Sequence, residues 1–568
     1  MPYRAPLADL RFLMRHVVGF DRVCATARFA EAGLDTAEAV LAEAARLAES
    51  VIAPVNRAGD VQPARLENGV VRTSPGFAAA YGALAAGGWI GLSADPAHGG
   101  MGLPLTIATA VNEMLSGACL ALQINTLLTM GQIEALEQHG SAALRAYALP
   151  KLVTGEWNGT MNLTEPQAGS DLGALAARAD DLGGGIFAIS GQKIYISWGE
   201  ADFLPNTCHL VLARLPDAAP GTAGISLFLV PRLWTDGVRN GVSVLRLEHK
   251  LGLHGSPTCV MEYDRAKGWL VGAPHKGLAA MFTMMNNARL GVGVQGVGVA
   301  EAALQQALDH AGTRVQGRTA LGRGPIGDHA DVRRMLAEAR AEVFAARAIA
   351  LSCAVALDMG RATGGAEWQA RAALLTPIAK AYGTEVGIAV AGQNVQVHGG
   401  MGFIEETGAA QLLRDVRVTA IYEGTNGIQA MDLVGRKMAD GGAAAFALID
   451  EIQADAGAAR GLLPDLAAEV WQAAEALRHG TDGLLAAGMT DRFAGAVPYL
   501  RAFARVLGGH LHLRAAVAEG RDGPRRALAR VMIGRLLPEH VALLAQASAG
   551  AGALFALGLD DLGAGVAA

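Results

Sequence analysis

Aromatic residues are scarce in this chain: 7 Trp, 8 Tyr and 14 Phe among 568 residues. Hydrophobic residues still make up 51%, with Ala and Gly abundant. Such a composition suits tightly packed helices with small interface residues and argues against wholesale disorder. Cysteine is also sparse. Cys24, Cys119, Cys208, Cys259 and Cys353 are widely separated, with no CxxC pair and no Cys/His cluster. Free thiols in a reducing compartment are expected, and no metal site. An excess of positive charge is missing too, since 47 Lys+Arg face 53 Asp+Glu for a net −6. No global basic surface for nucleic acid follows from that balance. The most apolar late segment, Val541 to Leu559, is largely Ala and Gly with Gln546 and Ser548 inside it. A packed helix and loop is expected there rather than a membrane span. Arg4, Arg11, Arg15 and His16 interrupt the first apolar residues, so no signal-peptide core is expected and the cytoplasm is the expected address.

A chain of 568 residues can bury a large core and divide into several domains. Up to about residue 160 the pattern reads helical, as in Ala37 to Val51. Short strand-like runs follow, Ile186–Ile189, Lys193–Ile196, His209–Leu212 and Ile225–Val230, separated by Gly, Pro and Asp. From about residue 278 helical spacing returns. Val332, Leu336, Ala339, Val343, Ala346 and Ala350 alternate steps of four and three, the period of a buried helical face. Helices, strands and helices again predict an α+β assembly of segregated segments. The expected division is 1–160 helical, 161–277 β, 278–440 helical bundle and 445–568 an additional helical region. A Gly/Ala linker, Asp440 to Ala444, precedes the last of these.

Three stretches carry chemistry. Ile421-Tyr422-Glu423-Gly424-Thr425 sets one carboxylate between an aromatic ring and a Gly. Desolvation of such a Glu raises its pKa and makes it a usable base near neutral pH. Upstream lies Gln396-Val397-His398-Gly399-Gly400-Met401-Gly402-Phe403, and far earlier Met161-Asn162-Leu163-Thr164-Glu165-Pro166-Gln167-Ala168-Gly169-Ser170-Asp171. Together, in this order and at this rough spacing, they resemble the acyl-CoA dehydrogenase family over roughly residues 40 to 440. Gly88–Leu92, Glu248–Gly252 and Thr283–Arg289 look like a long subgroup that includes 3-methylthiopropanoyl-CoA dehydrogenases. The resemblance implies an N-terminal helical domain, a central β domain and a C-terminal four-helix bundle. It further implies an added helical region that shorter members lack.

It also implies FAD, which fits the chemistry, because no side chain accepts a hydride. Glu423 matches the catalytic base. Its backbone N–H and a flavin hydroxyl would polarise the thioester oxygen. Met161, Thr164 and Ser170 match positions at the flavin, Ser170 also at the substrate. Tyr195 and Ser197 fall in a stretch whose usual form is K-x-W-I-T-N-G, Tyr195 against the ring system and Ser197 at the flavin edge. Trp198 replaces the usual Asn, with no role implied. Arg314 and Gln316 match an R-x-x-F-G element that reaches the FAD of a neighbouring subunit, though the Phe is absent here. Gln396, Gly399 and Gly400 match the adenine-side stretch, and Thr425 a hydroxyl contact to the cofactor. Asn286, Arg289, Tyr422 and Gly424 match substrate-side positions.

Gly291-Val292-Gly293-Val294-Gln295-Gly296 fits GxGxxG but lacks a preceding strand, and residues 311 to 325 contain no Asp or Glu. Close helix packing is the expected reason for these glycines. The implied reaction is α,β-dehydrogenation of an acyl-CoA, with electrons passing to an electron-transfer flavoprotein. The implied assembly is a homodimer, the added region covering a face that shorter members use for tetramers. Two alternatives keep the fold: an acyl-CoA oxidase using oxygen, and a flavin-bearing nucleic-acid binder. Residues 441 to 568 carry 11 Lys+Arg and 13 Asp+Glu, which disfavours the latter despite a run of arginines from Arg521 to Arg535.

Overall fold

The computed structural model describes residues 2–520 and 522–563. Its packing falls into two compact units, and the fold is mixed helix and sheet, as the alternating periodicities predict. The first unit holds residues 35–291 and 400–418, with the first few residues of the chain. Its centre is a seven-stranded sheet, Trp157–Asn162, Arg178–Gly183, Ile186–Ser197, Asn206–Arg214, Ile225–Pro231, Val242–Leu247 and Thr258–Val271. Asn206–Arg214 pairs with Ile225–Pro231 as well as along the main order, so the ladder closes on itself. Ile189, Val211, Phe228, Val230, Met261 and Tyr263 pack its interior. Trp157–Asn162 lies at one end of the strand order and pairs, in parallel, only with Asn206–Arg214.

Leu105–His139 belongs to the same unit and is buried along nearly its whole length. It breaks at Cys119, whose φ of −159° and ψ of 95° are not helical. The broken turn explains Trp198. Its indole N–H donates to the Ala121 carbonyl at 3.0 Å, a group just beyond the break. The ring is fully buried and stacks on Phe77, with centroids 6.1 Å apart. Trp198 therefore serves the core: a buried indole with its one donor satisfied.

The early part of the chain is not wholly helical. Arg65–Glu67 and Val70–Arg72 form a hairpin turned by Asn68 and Gly69, at φ 50° and 77°. Asn-Gly supplies the two left-handed residues such a turn requires.

The second unit comprises residues 7–34, 292–399 and the described residues from 419 onward. Its long helices are Ala330–Thr363, Ala366–His398 and the continuation of Gly277–Thr313. Leu336, Ala339, Val343, Ala346 and Ala350 are buried, as their spacing predicts. Asn426–Asp432 runs directly into a short π-helix at Leu433–Lys437. Ala443–Ala459, Pro464–Ala486 and Ala496–Glu519 form the added region. The 541–559 segment divides into Glu539–Ala547 and Gly552–Phe555. Among the described residues two helices are long and apolar enough to cross a membrane, Leu105–His139 and Ala330–Thr363, and their apolar windows are 100% and 83% buried within the protein.

The GxGxxG run lies inside the helix Gly277–Thr313. A Cβ on Gly293 would sit 2.5 Å from the Ala379 carbonyl oxygen, and one on Gly296 2.3 Å from that of Gly383. These glycines let two helix backbones touch. Gly296→Ala should cost about 1–3 kcal/mol by overpacking. Gly392→Ala on the facing helix meets nothing within 4 Å and should be neutral or mildly stabilising. Thermal unfolding of the two variants beside wild type checks the contrast.

The second unit also buries ions. Asp9 is 2% exposed and accepts from Arg347 at 2.9 Å, Arg340 at 2.6 Å and Arg525 at 2.5 Å. Arg347 also reaches Glu301 at 2.7 Å. Burial opposes the charge on Asp9, but the three guanidinium groups hold its carboxyl below the usual range. Of the late arginine run, Arg525 is thus buried in an ion cluster, Arg526 pairs with Asp522 and Arg535 with Glu338. Arg521 lies outside the described residues.

Candidate functional site

In the first unit, the TEP motif and the Lys193–Ser197 stretch are locked together. Lys193 is fully buried and donates to Glu165 at 2.7 Å and to the Leu163 carbonyl at 3.0 Å. Glu165 also accepts from the Ala176 and Ala177 N–H groups, at 2.7 and 3.0 Å. Burial pulls the Lys193 ammonium down to about 8, against the attraction of Glu165. Burial works against the Glu165 charge too, yet Lys193 and the N–H donors keep its carboxyl low. The Ile194 N–H donates to the Thr164 carbonyl at 2.9 Å, so Thr164 and Tyr195 are near neighbours.

Between Lys193 and Ile196 the ladder with Thr258–Val271 slips, and Tyr195 takes φ 61°. Positive φ is uncommon for a bulky residue. It turns the ring outward, leaving Tyr195 63% exposed. Met161, Thr164 and Ser197 are partly buried and Ser170 is exposed. A flavin needs a ring face and main-chain groups at its polar edge. The exposed Tyr195 ring and the second, unladdered edge of Trp157–Asn162 supply both, so these residues fit the group. Farther along the unit, Arg289 is buried and donates to Asn286 Oδ1 at 3.3 Å. Its guanidinium lies 5.9 Å from the Phe282 ring centroid.

In the second unit, Glu423 has φ 55° and Gly424 φ 85°. Two consecutive left-handed residues, one of them Glu, make a strained turn that its surroundings must hold. Three contacts hold it. The Gln429 amide donates to the carbonyls of Glu423 at 3.3 Å and Gly424 at 3.5 Å. Tyr422 Oη donates to Gln295 Oε1. Asn426 Oδ1 accepts from the buried Lys380 ammonium at 2.9 Å, and its amide donates to Thr384 Oγ1 at 3.0 Å. Burial, with the Glu423 charge adding to it, pushes the Tyr422 hydroxyl up. Thr425 Oγ1 accepts the Ile428 N–H at 3.2 Å, so it caps the Asn426–Asp432 helix. Its hydroxyl hydrogen remains to donate elsewhere. Gln295, Lys380 and Gln429 escaped the sequence reading. Gln295 lies inside the GxGxxG run, and Gln429 lies four residues beyond Thr425.

The remaining residues, apart from Gly400, which opens a segment of the first unit, gather at one end of this unit. The rings of His310 and His398 stack 4.2 Å apart, and Asn394 donates to Gln306 at 2.7 Å. Arg314 and Gln316, just past His310, thereby share an end with Gln396 and Gly399. Arg314, Gln316, Gln396, Gly399 and Gly400 are all exposed. Gly399 has φ 59° and ψ −138°, and a Cβ there or at Gly400 would meet nothing within 4 Å. At 1.5 Å per residue, Gly399 stands roughly 22 Å along the helix from Thr384, which holds the Glu423 turn. The structure does not bring this end to the carboxylate of the same chain.

The five cysteines are unpaired. Burial pushes the thiols of Cys119, Cys259 and Cys353 up to about 12, so they are inert.

Four family models match in succession. Acyl-CoA dehydrogenase N-terminal domain covers residues 35–156, the middle domain 160–266, the C-terminal domain 275–439, and an acetyl-CoA dehydrogenase C-terminal-like region 448–558. A 3-methylmercaptopropionyl-CoA dehydrogenase from Ruegeria pomeroyi is 45% identical over 543 residues, 91% of this chain and 92% of that protein. The Caenorhabditis elegans ACDH-11 structure, in complex with C11-CoA, superposes with a TM-score of 0.82 at 20% identity, covering 94% of this chain and 92% of that one. An acyl-CoA dehydrogenase complexed with FAD from Bacillus anthracis gives 0.76 at 20% identity, covering 93% and 89%. With a strained glutamate turn in one unit, a flavin-fitting strand edge in the other and matches along nearly its whole length, the chain belongs to the acyl-CoA dehydrogenase family.

Proposed function

We propose that the protein desaturates an acyl-CoA thioester to the trans-2-enoyl-CoA, with Glu423 as the base that takes the alpha proton. The observation that carries this reading is the Glu423 turn, a carboxylate in a left-handed backbone fixed by Gln429 and Tyr422. Such strain persists where the surroundings enforce a functional geometry. FAD, when bound, supplies the acceptor for the beta hydride. Tyr195 offers its ring face and Ser197 its hydroxyl to that cofactor, with Met161, Thr164 and Ser170 along the adjacent edge. The Glu423 backbone N–H is aimed at the thioester oxygen in this reading, where a donor stabilises developing negative charge. Asn286, Arg289 and Gly424 face the substrate.

The substrate we favour is 3-methylthiopropanoyl-CoA, because a relative 45% identical over nearly the full length carries that activity in its name. A fatty acyl-CoA is the runner-up. Electrons pass to an electron-transfer flavoprotein, and the reduced thiols suit a cytoplasmic address. Substrate-reduced protein should then reoxidise slowly in air and rapidly with that flavoprotein. Fast reoxidation in air would assign oxygen as the acceptor instead.

Gln429→Leu should lower kcat about 10-fold or more with KM and FAD content nearly unchanged, because misplacing a reacting group is costly. Unchanged kcat would remove Gln429 from the positioning of the base.

Arg314, Gln316, Gln396, Gly399, Gly400 and Thr425 are proposed to hold FAD, Arg314 reaching the cofactor of a second copy in a homodimer. Val315 and Leu321 beside it are exposed apolar side chains suited to such an interface. Arg314→Ala should weaken FAD retention about 10-fold or more without unfolding, since charge-assisted bonds to a diphosphate are the strong ones. Equilibrium dialysis checks this, and light scattering gives the mass. A stable, active monomer would rule out the shared site.

A further inference from the structure

The second unit carries a cleft at the opposite end of the helix Ala366–His398 from Gln396 and Gly399. The cleft is narrow and partly open to solvent. Its walls come from five elements: Arg22 lies in Phe20–Cys24, Ser352 sits on Ala330–Thr363, and Trp368 and Arg371 open Ala366–His398. Glu451 comes from Ala443–Ala459, and His510 and Arg514 from Ala496–Glu519.

The charges do not cancel. Three guanidinium groups line the cleft with one carboxylate, Glu451, and a second carboxylate, Asp455, stands behind His510. Arg371 already grips Glu451 with both terminal nitrogens. Arg514 stands 3.5 Å from Glu451 and 3.8 Å from Asp455, ion-pair distances that leave its hydrogen-bonding fork open. His510 is 1% exposed. Its Nε2 donates to Asp455 at 2.8 Å, whereas its Nδ1 is buried without a partner. A buried polar atom without a partner, beside unspent guanidinium donors, marks a place built for a polar group.

We propose that this cleft binds a phosphate group, free or as a nucleotide monophosphate, at a site separate from the reaction. Open guanidinium forks from two helices, those of Arg22 and Arg514, suit a tetrahedral dianion with several acceptor oxygens. Trp368, partly exposed at the rim with Arg371 5.9 Å from its ring centroid, offers a face for a base. A bound phosphate would tie Phe20–Cys24 to the added C-terminal region, since Arg22 comes from the one and Arg514 from the other.

The test uses the full-length, FAD-loaded protein, so that the cofactor's own phosphate site is filled. Inorganic phosphate and AMP are titrated at constant ionic strength by calorimetry, on wild type and on Arg514→Gln and Arg22→Gln. Arg22 is exposed, so its replacement leaves folding intact. Saturable binding is expected, weakened about 10-fold or more in each variant, with flavin reduction by acyl-CoA unchanged. Tighter binding of AMP than of phosphate would identify the ligand as a nucleotide, and equal binding as free phosphate. No saturable binding, or equal affinity in wild type and both variants, would overturn the proposal.

Discussion

Glu423→Gln should abolish flavin reduction by acyl-CoA while leaving FAD content nearly unchanged. Loss of a general base costs on the order of 10²–10⁴-fold or more. The amide keeps the shape of the carboxylate but cannot take the alpha proton. It leaves the backbone contacts of the turn in place, because Gln429 and Tyr422 hold main chain and neighbour rather than the carboxylate itself. Anaerobic stopped-flow on the FAD-loaded variant measures the rate. A rate near that of wild type would move the base to another residue.

Asp9→Ala should be the most damaging substitution for stability, at about 3–5 kcal/mol, the cost of breaking a buried ion pair. It strips the fully buried Arg347 of one of its two carboxylates, and Arg340 and Arg525 of a shared one. Glu301, which pairs with Arg347 and Arg340, would then be the carboxylate left to them. Asp9→Asn preserves volume and should be nearly as harmful, which separates charge from cavity. Calorimetric unfolding of both variants reads the loss, and transitions matching wild type would show the cluster contributes little.

The sequence announced its long elements. The alternation is a buried helical face from Leu336 to Ala350, with Val332 only half-buried at its start, and the Gly291–Gly296 glycines serve helix contact as their setting suggested. Both readings rest on local periodicity, which burial imposes directly. The Asn68-Gly69 hairpin was readable from its dipeptide but sat among helical signals. Long-range partners were not legible. Trp198 answers a carbonyl freed by a helix break 77 residues earlier, and Arg347 answers Asp9 across 338 residues. At the Glu423 turn the motif gave the reacting residue but not the clamp. Lys380 reads as one more charged residue on a helix until its burial beside Asn426 is seen. Folding chooses such partners, and a one-dimensional pattern does not record them.

The most direct measurement is anaerobic titration of the FAD-loaded protein with 3-methylthiopropanoyl-CoA and a series of straight-chain acyl-CoAs, following the flavin absorbance. Bleaching of the oxidised band by at least one thioester, with the trans-2-enoyl-CoA recovered as product, is the expected result. A flavin that stays oxidised with every thioester, in protein that holds FAD and is folded, would contradict acyl-CoA dehydrogenation by this chain.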